Sequence, residues 1–260
     1  MATKTIAIAG KGGTGKTTFC TLLIRYLKER IRGAILAVDG DPSSNLNLAL
    51  GMPLESTVGD IREEAMVEAR SGSFNPGIPK HDYFAYRMEE ALVEGDRVDL
   101  IAMGRPEGPG CYCAANNILR NVIDQLGNQY EFVVIDNEAG MEHISRQTTR
   151  HIDHLFITSD ATLRGLSAAA GILRLVDELS ARGTRVSATH FVVNRFSGEL
   201  PAKLRTFAQE EGLTVVGTLP NDPLITQYDL EGRPLIDLPP DSPAVQAVAA
   251  IAAKVGVLPT

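Results

Sequence analysis

Short apolar runs rich in β-branched residues alternate with longer stretches of helical composition along most of the chain. Most of these runs have no polar alternation, which is typical of strands covered on both faces in a parallel sheet. The predicted strands are Thr5–Ala9, Ile35–Asp39, Leu100–Met103, Phe132–Asp136, Leu155–Ser159, Val186–Asn194 and Thr214–Thr218. The predicted helices are Thr17–Glu29, Ala114–Leu126, Leu163–Ala181, Pro201–Glu211 and Pro243–Val255. The order predicts an α/β fold with a doubly wound, mostly parallel sheet flanked by helices, and ligands at the carboxyl ends of the strands.

Length and composition limit what this fold carries. The 260 residues suffice for one α/β core, and no linker divides them, so we expect a single domain over residues 1–260. The net charge of −7 and the low aromatic content, without Trp, argue against a nucleic-acid partner. No apolar run reaches the roughly 20 residues of a membrane span, and three cysteines make no disulfide framework. We expect a cytoplasmic protein without a membrane partner.

A glycine-rich segment, Gly10–Thr18, follows the first predicted strand and fits the pattern G-x-x-x-x-G-K-[ST] of a phosphate-binding P-loop. Glycines let backbone N–H groups converge on phosphate oxygens, and the next helix points its positive dipole end at the same charge. Lys16 is expected to reach the β- and γ-phosphates, and the Thr17 hydroxyl to bind Mg²⁺. The predicted nucleotide contacts are Gly10, Lys11, Gly12, Gly13, Thr14, Gly15, Lys16, Thr17 and Thr18.

The same segment leaves two alternatives open. Its glycines also satisfy the dinucleotide-binding pattern G-x-G-x-x-G, with Asp39 closing the second strand, although that pattern has no use for Lys16 and Thr17. Lys11, early in the loop, is either a solvated surface residue or a cation that meets phosphate in a second subunit.

Acidic residues follow two predicted strands, in Asp39–Pro42 and in Asp136–Gly140. At the carboxyl edge of the sheet, an Asp can hold Mg²⁺, directly or through water, or orient the water that attacks the γ-phosphate. We assign water activation to Asp41 and the outer shell of the metal to Asp136. Asp39 is interpreted as a brace for the loop. The predicted catalytic residues are Lys11, Lys16 and Asp41, and the predicted Mg²⁺ residues are Thr17, Asp41 and Asp136.

With these motifs the chain resembles the deviant P-loop ATPases of the MinD/ParA and nitrogenase iron-protein group. The matching residues are Lys11-Gly12-Gly13-x-Gly15-Lys16-Thr17-Thr18, Asp39-Gly40-Asp41-Pro42 and Asp136-x-x-Ala139-Gly140. The resemblance implies a homodimer that sandwiches two ATP molecules, with Lys11 reaching the partner's nucleotide. Within this group, the segments Met103–Cys113 and Gly140–Arg146 look like the CooC family. That likeness implies an ATP-driven metallochaperone for a client nickel enzyme, carbon monoxide dehydrogenase or acetyl-CoA synthase.

Cys111 and Cys113 agree with that role. Two thiolates one residue apart can hold one Ni²⁺ or Zn²⁺ ion, and a twofold dimer supplies the four sulfurs of a closed site. The alternative is a pair of small, buried, inert thiols. Of the histidines, His151 and His154 are expected to be structural rather than a metal pair.

The base is assigned to adenine. Asn194 ends a predicted strand and can hydrogen-bond the base, but Ser197 stands where a guanine-specific site has an Asp that accepts two N–H groups. The predicted base-binding residues are Asn194, Arg195, Pro220 and Asn221, the last two by resemblance. The predicted cofactors are ATP/ADP, Mg²⁺, and Ni²⁺ or Zn²⁺.

Two other functions stay open. One is an iron–sulfur redox protein like the nitrogenase iron protein, which has a cysteine after the second acidic motif where this chain has Gly140-Met141. The other is a positioning ATPase of the MinD/ParA type. The segment Ala244–Thr260 argues against it, because Lys254 is its only charge.

Overall fold

The computed structural model describes residues 3–71, 87, 90–104, 126–138, 151–181 and 183–258. Within these ranges an eight-stranded sheet has the order β3-β4-β2-β5-β1-β6-β7-β8. Its strands are β1 Lys4–Gly10, β2 Ile35–Asp39, β3 Leu92–Val93, β4 Val98–Ala102, β5 Phe132–Asp136, β6 His151–Asp160, β7 Arg185–Asn194 and β8 Val215–Thr218. All neighbouring strands are parallel except β3 and β4, which are antiparallel. The predicted doubly wound, mostly parallel sheet is therefore confirmed.

Helices cover both faces of this sheet. They are α1 Lys16–Lys28, α2 Leu46–Leu50, α3 Val58–Ser71, α4 Leu163–Ser180, α5 Ala202–Glu210, α6 Pro223–Glu231 and α7 Pro243–Lys254. Side chains alternate between the faces along a strand, and β1 shows the result. Ile6 and Ile8 pack in the core that contains α1 and α7, whereas Ala7 and Ala9 pack in the core that contains α4 and α5. Both cores are built of buried apolar side chains, which explains the continuous apolar runs in the sequence.

Several helices begin at residues that satisfy free backbone N–H groups. The Thr162 hydroxyl accepts from the N–H of Gly165 at 3.0 Å at the start of α4. Asp222 and Ser242 cap α6 and α7 in the same way, and each is followed by Pro at the first helical position. None of the described helices is both long and apolar enough to cross a bilayer.

The structure differs from the sequence prediction mainly in short elements. β6 begins at His151, four residues before the predicted strand. β3 has only two residues, too few for a periodic signal, and α6 has a weak apolar stripe with Leu230 largely exposed. The predicted helix Ala114–Leu126 lies outside the described residues except for its last one, which is helical.

Candidate nucleotide-binding site

Three glycines of the loop between β1 and α1 have positive φ values, and at two of them a side chain would also lack space. Gly10 and Gly15 both have positive φ values, 155° and 80°. A Cβ at Gly10 would overlap the carbonyl oxygen of Thr158, and a Cβ at Gly15 would overlap the side-chain amide of Asn194. Glycine is therefore required at both positions by backbone angle and by space.

Lys16, at the start of α1, turns its ammonium group into the loop. The side chain is buried, and its Nζ lies 3.5 Å from the carbonyl oxygen of Lys11. The Thr14 hydroxyl donates to the same carbonyl at 2.7 Å, and this hydrogen bond links two residues within the loop. Lys11 itself is exposed. Among the described residues the hydrogen bond found for this ammonium is long and goes to a neutral oxygen, so a phosphate oxygen would be a stronger partner.

Thr17 and Asp136 meet on the other side of the loop. The Thr17 hydroxyl donates to Oδ2 of Asp136 at 2.6 Å. Asp136 ends β5 and is 1% exposed. Burial raises the pKa of its carboxyl group to about 7; the Thr17 hydrogen bond and Lys16 oppose this shift, while Asp39 and Asp41 add to it.

This pair fits a magnesium ion. Among the described residues, Oδ1 of Asp136 is buried without a hydrogen-bond partner. Hydroxyl and carboxylate oxygens are the ligands that Mg²⁺ prefers. Mg²⁺ usually keeps several water ligands, and a second carboxylate oxygen can accept a hydrogen bond from one of these waters. The donor set and the unpaired oxygen thus match a hydrated divalent cation.

Asp39 has a different role, as a brace for its own loop. It is buried at the end of β2, where its carboxylate accepts from the backbone N–H groups of Asp41 at 3.0 Å and Leu46 at 2.9 Å. Burial raises its pKa to about 6, against the effect of these hydrogen bonds. The interpretation of Asp39 as a loop brace is confirmed.

Asp41 lies at the same sheet edge, partly exposed, and accepts from the N–H of Ser43 at 2.8 Å. The backbone N–H of Gly40 donates to the carbonyl oxygen of Asp136 at 2.8 Å. This bond joins the two acidic loops directly.

Asn194, at the end of β7, contacts the phosphate loop. Its Nδ2 donates to the carbonyl oxygen of Thr14 at 2.8 Å, and its Oδ1 accepts from the N–H of Arg195 at 2.8 Å. Its contact with the base stays a prediction. Backbone hydrogen bonds of Leu219 with Val193 and of Phe196 with Leu219 hold Arg195 near Pro220 and Asn221. The structure therefore gathers the four predicted base-binding residues at one edge.

Two further residues of the site were not predicted. The Thr158 hydroxyl, near the end of β6, lies 3.0 Å from that of Thr14 and also donates to the carbonyl of Ala9. Asn137 is fully buried, and its Nδ2 donates to the carbonyl of Ile8 at 2.8 Å. Both come at the carboxyl end of a buried strand, the signal by which the sequence could have identified them.

The predicted thiolate ligands Cys111 and Cys113 lie outside the described residues. Cys20, in contrast, is a residue of α1 and is fully buried in the core. In the described part of the chain no group of three or more His, Cys, Asp or Glu residues is arranged to hold a metal. His151 and His154 are both on strand β6, where a separation of three residues does not place them on one face as it would in a helix.

The amino-acid sequence is similar to those of known nucleotide-binding proteins. Residues 5–235 match the CobQ/CobB/MinD/ParA nucleotide binding domain. The chain is 45% identical over 250 residues to an uncharacterised ATP-binding protein of Methanocaldococcus jannaschii, covering 96% of this chain and 97% of that protein. It is 29% identical over 247 residues to the carbon monoxide dehydrogenase accessory protein CooC of Rhodospirillum rubrum, with 90% of each covered.

The fold also resembles a solved structure. The septum site-determining protein MinD of Pyrococcus horikoshii, complexed with Mg-ADP, superposes with a TM-score of 0.66 at 23% identity. That match covers 97% of this chain and 96% of the other. It concerns the fold alone.

Proposed function

Because the chain belongs to the CobQ/CobB/MinD/ParA nucleotide-binding family, we propose that it binds ATP with Mg²⁺ and hydrolyses it. The observation that carries the proposal is the buried Lys16 ammonium inside the glycine loop, with the Thr17–Asp136 pair beside it. Backbone N–H groups of Gly12–Thr18 and the Lys16 ammonium bind the phosphates, and the Thr17 hydroxyl with Asp136 holds the hydrated metal. The metal, when bound, would supply positive charge that neutralises the negative charge of the phosphate oxygens.

Asp41 orients the attacking water in this proposal. The Asp39 carboxylate holds the Asp41 backbone N–H, and the partly exposed Asp41 carboxylate accepts from the N–H of Ser43 through Oδ1. Lys11 neutralises charge on the nucleotide of a second chain. Its side chain is exposed, whereas that of Lys16 is buried in the loop. ATP is favoured over GTP because Ser197 lacks the carboxylate that guanine recognition needs. Arg195, Pro220 and Asn221 border the adenine.

We further propose that hydrolysis serves metal insertion. The likeness to CooC supports a client nickel enzyme, and Cys111 with Cys113 supplies thiolates suited to Ni²⁺ or Zn²⁺. A homodimer would join two such pairs into one four-sulfur site, linked to the nucleotide through the same interface. An iron–sulfur redox protein is the second candidate, favoured by 24% identity over 268 residues to a nitrogenase iron protein of Methanothermococcus thermolithotrophicus.

The first experiment tests the ATPase proposal by calorimetry and phosphate release with Mg²⁺-ATP. Lys16→Ala is expected to abolish nucleotide binding, because it removes the buried cation. Lys11→Ala is expected to preserve binding and lose turnover. Lys203→Ala, a change of an exposed lysine on α5, serves as the matched control. Full turnover in Lys11→Ala would show that the proposed action across a dimer is wrong.

The second experiment titrates metal-free protein with Ni²⁺ or Zn²⁺ in the presence of ADP or ATP, and follows oligomeric state by light scattering. We expect thiolate-bound metal at one ion per two chains, lost in Cys111→Ser and in Cys113→Ser. Cys20→Ala is the control, because that thiol is buried in the core. A monomer whose thiolates bind neither metal would remove the metallochaperone proposal and leave the ATPase proposal intact. A brown protein with bound iron and sulfide would favour the redox alternative.

A further inference from the structure

A buried carboxylate ends the loop that carries two of the predicted base-binding residues. This loop, residues 219–222, connects β8 to α6, contains Pro220 and Asn221, and is called the base loop below. Asp222, its last residue, is only 3% exposed. Oδ1 of Asp222 accepts from the backbone N–H of Leu224 at 3.0 Å, which caps α6. One oxygen of the carboxylate therefore serves as an ordinary helix cap.

The other oxygen of Asp222 contacts the start of a different helix. Oδ2 accepts from the hydroxyl of Ser242 at 2.6 Å and from the backbone N–H of Ala244 at 3.2 Å, both at the start of α7. Ser242 is fully buried, and its oxygen also accepts from the N–H of Val245 at 3.3 Å. Three donors of the chain thus compensate the buried carboxylate and hold it in one place. Asp222 joins the starts of α6 and α7.

The base loop is attached on two sides. On the side of β7, the N–H of Leu219 donates to the carbonyl oxygen of Val193, and the N–H of Phe196 donates to that of Leu219, both at 2.8 Å. On the other side, Asp222 ties the loop to α7. The helix α7 packs in the same core as α1, which directly follows the phosphate loop. The hydrogen bonds of Asp222 therefore connect the base loop, through two packed helices, to the phosphate loop.

This arrangement gives Asp222 an indirect role in nucleotide binding. Its two oxygens are occupied by donors of its own chain, so it acts through its neighbours and not by contact with the ligand. A binding site holds its ligand well only when the contacting groups are fixed by a supporting layer of hydrogen bonds. We infer that Asp222 is the positioning residue for the base, because it fixes Pro220 and Asn221 relative to the phosphate loop. This role rests on the proposed nucleotide binding and names the residue that sets affinity for the base.

The test compares two ligands by calorimetry on the full chain at one Mg²⁺ concentration. ATP has phosphates and a base, whereas inorganic tripolyphosphate has the phosphates alone. Asp222→Asn places an amide N–H₂ group against the donors of Ser242 and Ala244, which releases the base loop from α7. We expect the Kd for ATP to rise about 10-fold, and the Kd for tripolyphosphate to stay within about twofold of the parent. In turnover assays, KM should rise while kcat stays within about twofold.

Two further variants complete the experiment. Ser242→Ala removes one of the two bonds to α7 and leaves Asp222 its backbone donors, so the Kd for ATP should rise about threefold. It also keeps the inference testable if Asp222→Asn does not fold. Asp241→Asn is the matched control, because it makes the same change of charge at the neighbouring, exposed residue and should bind both ligands as the parent does. Circular dichroism and urea unfolding establish that each variant is folded.

The outcomes separate this role from the proposed function. An unchanged Kd for ATP in folded Asp222→Asn and Ser242→Ala would overturn the positioning role. Equal weakening of ATP and tripolyphosphate would also overturn it, because the damage would then extend to the phosphate loop. Both results leave the ATPase proposal intact, since the parent binds both ligands. A parent that binds neither ligand would refute the proposed function, and with it the role of Asp222.

Discussion

Asp39 and Asp136 end neighbouring strands in direct register and are both almost completely buried, yet their surroundings differ. The two carboxylate oxygens of Asp39 are used by the backbone of the following loop. Asp136 receives one hydroxyl, from Thr17, and has an unpaired oxygen among the described residues. An acid whose acceptors are saturated by its own chain stabilises structure, whereas an acid with a free acceptor is available for a ligand. Asp39 and Asp136 have equivalent positions in the sheet, so position alone does not distinguish the bracing residue from the ligand-facing one. The hydrogen bonds made by each carboxylate do distinguish them.

The largest expected effect that sharpens this comparison is a dependence of stability on pH. Folding raises the pKa of Asp136 from 3.8 to about 7, so its contribution to stability is complete below about pH 4 and is lost as the pH rises through about 7. In metal- and nucleotide-free protein, Asp136→Asn should therefore gain stability relative to the parent between pH 4 and pH 8, by up to about 4 kcal/mol.

The measurement is urea unfolding at matched pH values. His154 and His190, whose pKa values are lowered by burial and therefore make stability rise with pH, are the same in both proteins and cancel in the difference. A difference that stays constant from pH 4 to pH 8 would contradict the assignment of a burial-raised pKa to Asp136.

The next effect concerns activity. Asp136→Asn should lower Mg²⁺-dependent ATP turnover by about 10–100-fold, as loss of an outer-shell metal partner does. Raising the Mg²⁺ concentration should restore part of the rate, because the amide keeps one acceptor oxygen. Steady-state kinetics across a Mg²⁺ series measure this, and turnover equal to the parent at low Mg²⁺ would exclude Asp136 from the metal site.

The smallest expected effect is on Asp39→Asn. An amide can accept only one of the two backbone N–H groups that the carboxylate holds, which costs about 1–2 kcal/mol. This loss offsets much of the stability gained at pH 7 by removing a buried charge, since burial raises the pKa of Asp39 to about 6. Chemical denaturation at pH 7 should therefore show a smaller gain in Asp39→Asn than in Asp136→Asn. An equal or larger gain in Asp39→Asn would show that the distinction between a bracing and a ligand-facing carboxylate is wrong.

Much of this site could be predicted from local sequence. The motif Gly10–Thr18 specifies its own loop, since positive φ values and close backbone approaches demand glycine. The ends of β2 and β5 could also be predicted, because in each case an apolar run stops at an acidic residue, Asp39 or Asp136. Contacts between distant segments could not be predicted, such as Asn194 with Thr14, which are 180 residues apart. Their partners depend on strand order, which the apolar pattern does not encode.

A pair of histidines shows the same limit. His151 and His154 stand out in sequence because they are close together, but the ring that contacts His154 is that of His190, on the next strand, with Nδ1 of His154 3.0 Å from Nε2 of His190. Cys111 and Cys113, outside the described residues, stay predictions. The short strand β3 and helix α6 were not predicted, because neither has apolar residues at a sustained strand or helix spacing.

The bond from the Gly40 amide to the Asp136 carbonyl has an evolutionary consequence. Donor and acceptor both belong to the main chain, so exchange of side chains in either acidic loop leaves the tether in place. Only an imino acid at position 40, which has no hydrogen to give, removes it outright. Mutation of the side chains can thus change the chemistry of each loop without removing the main-chain bond between them.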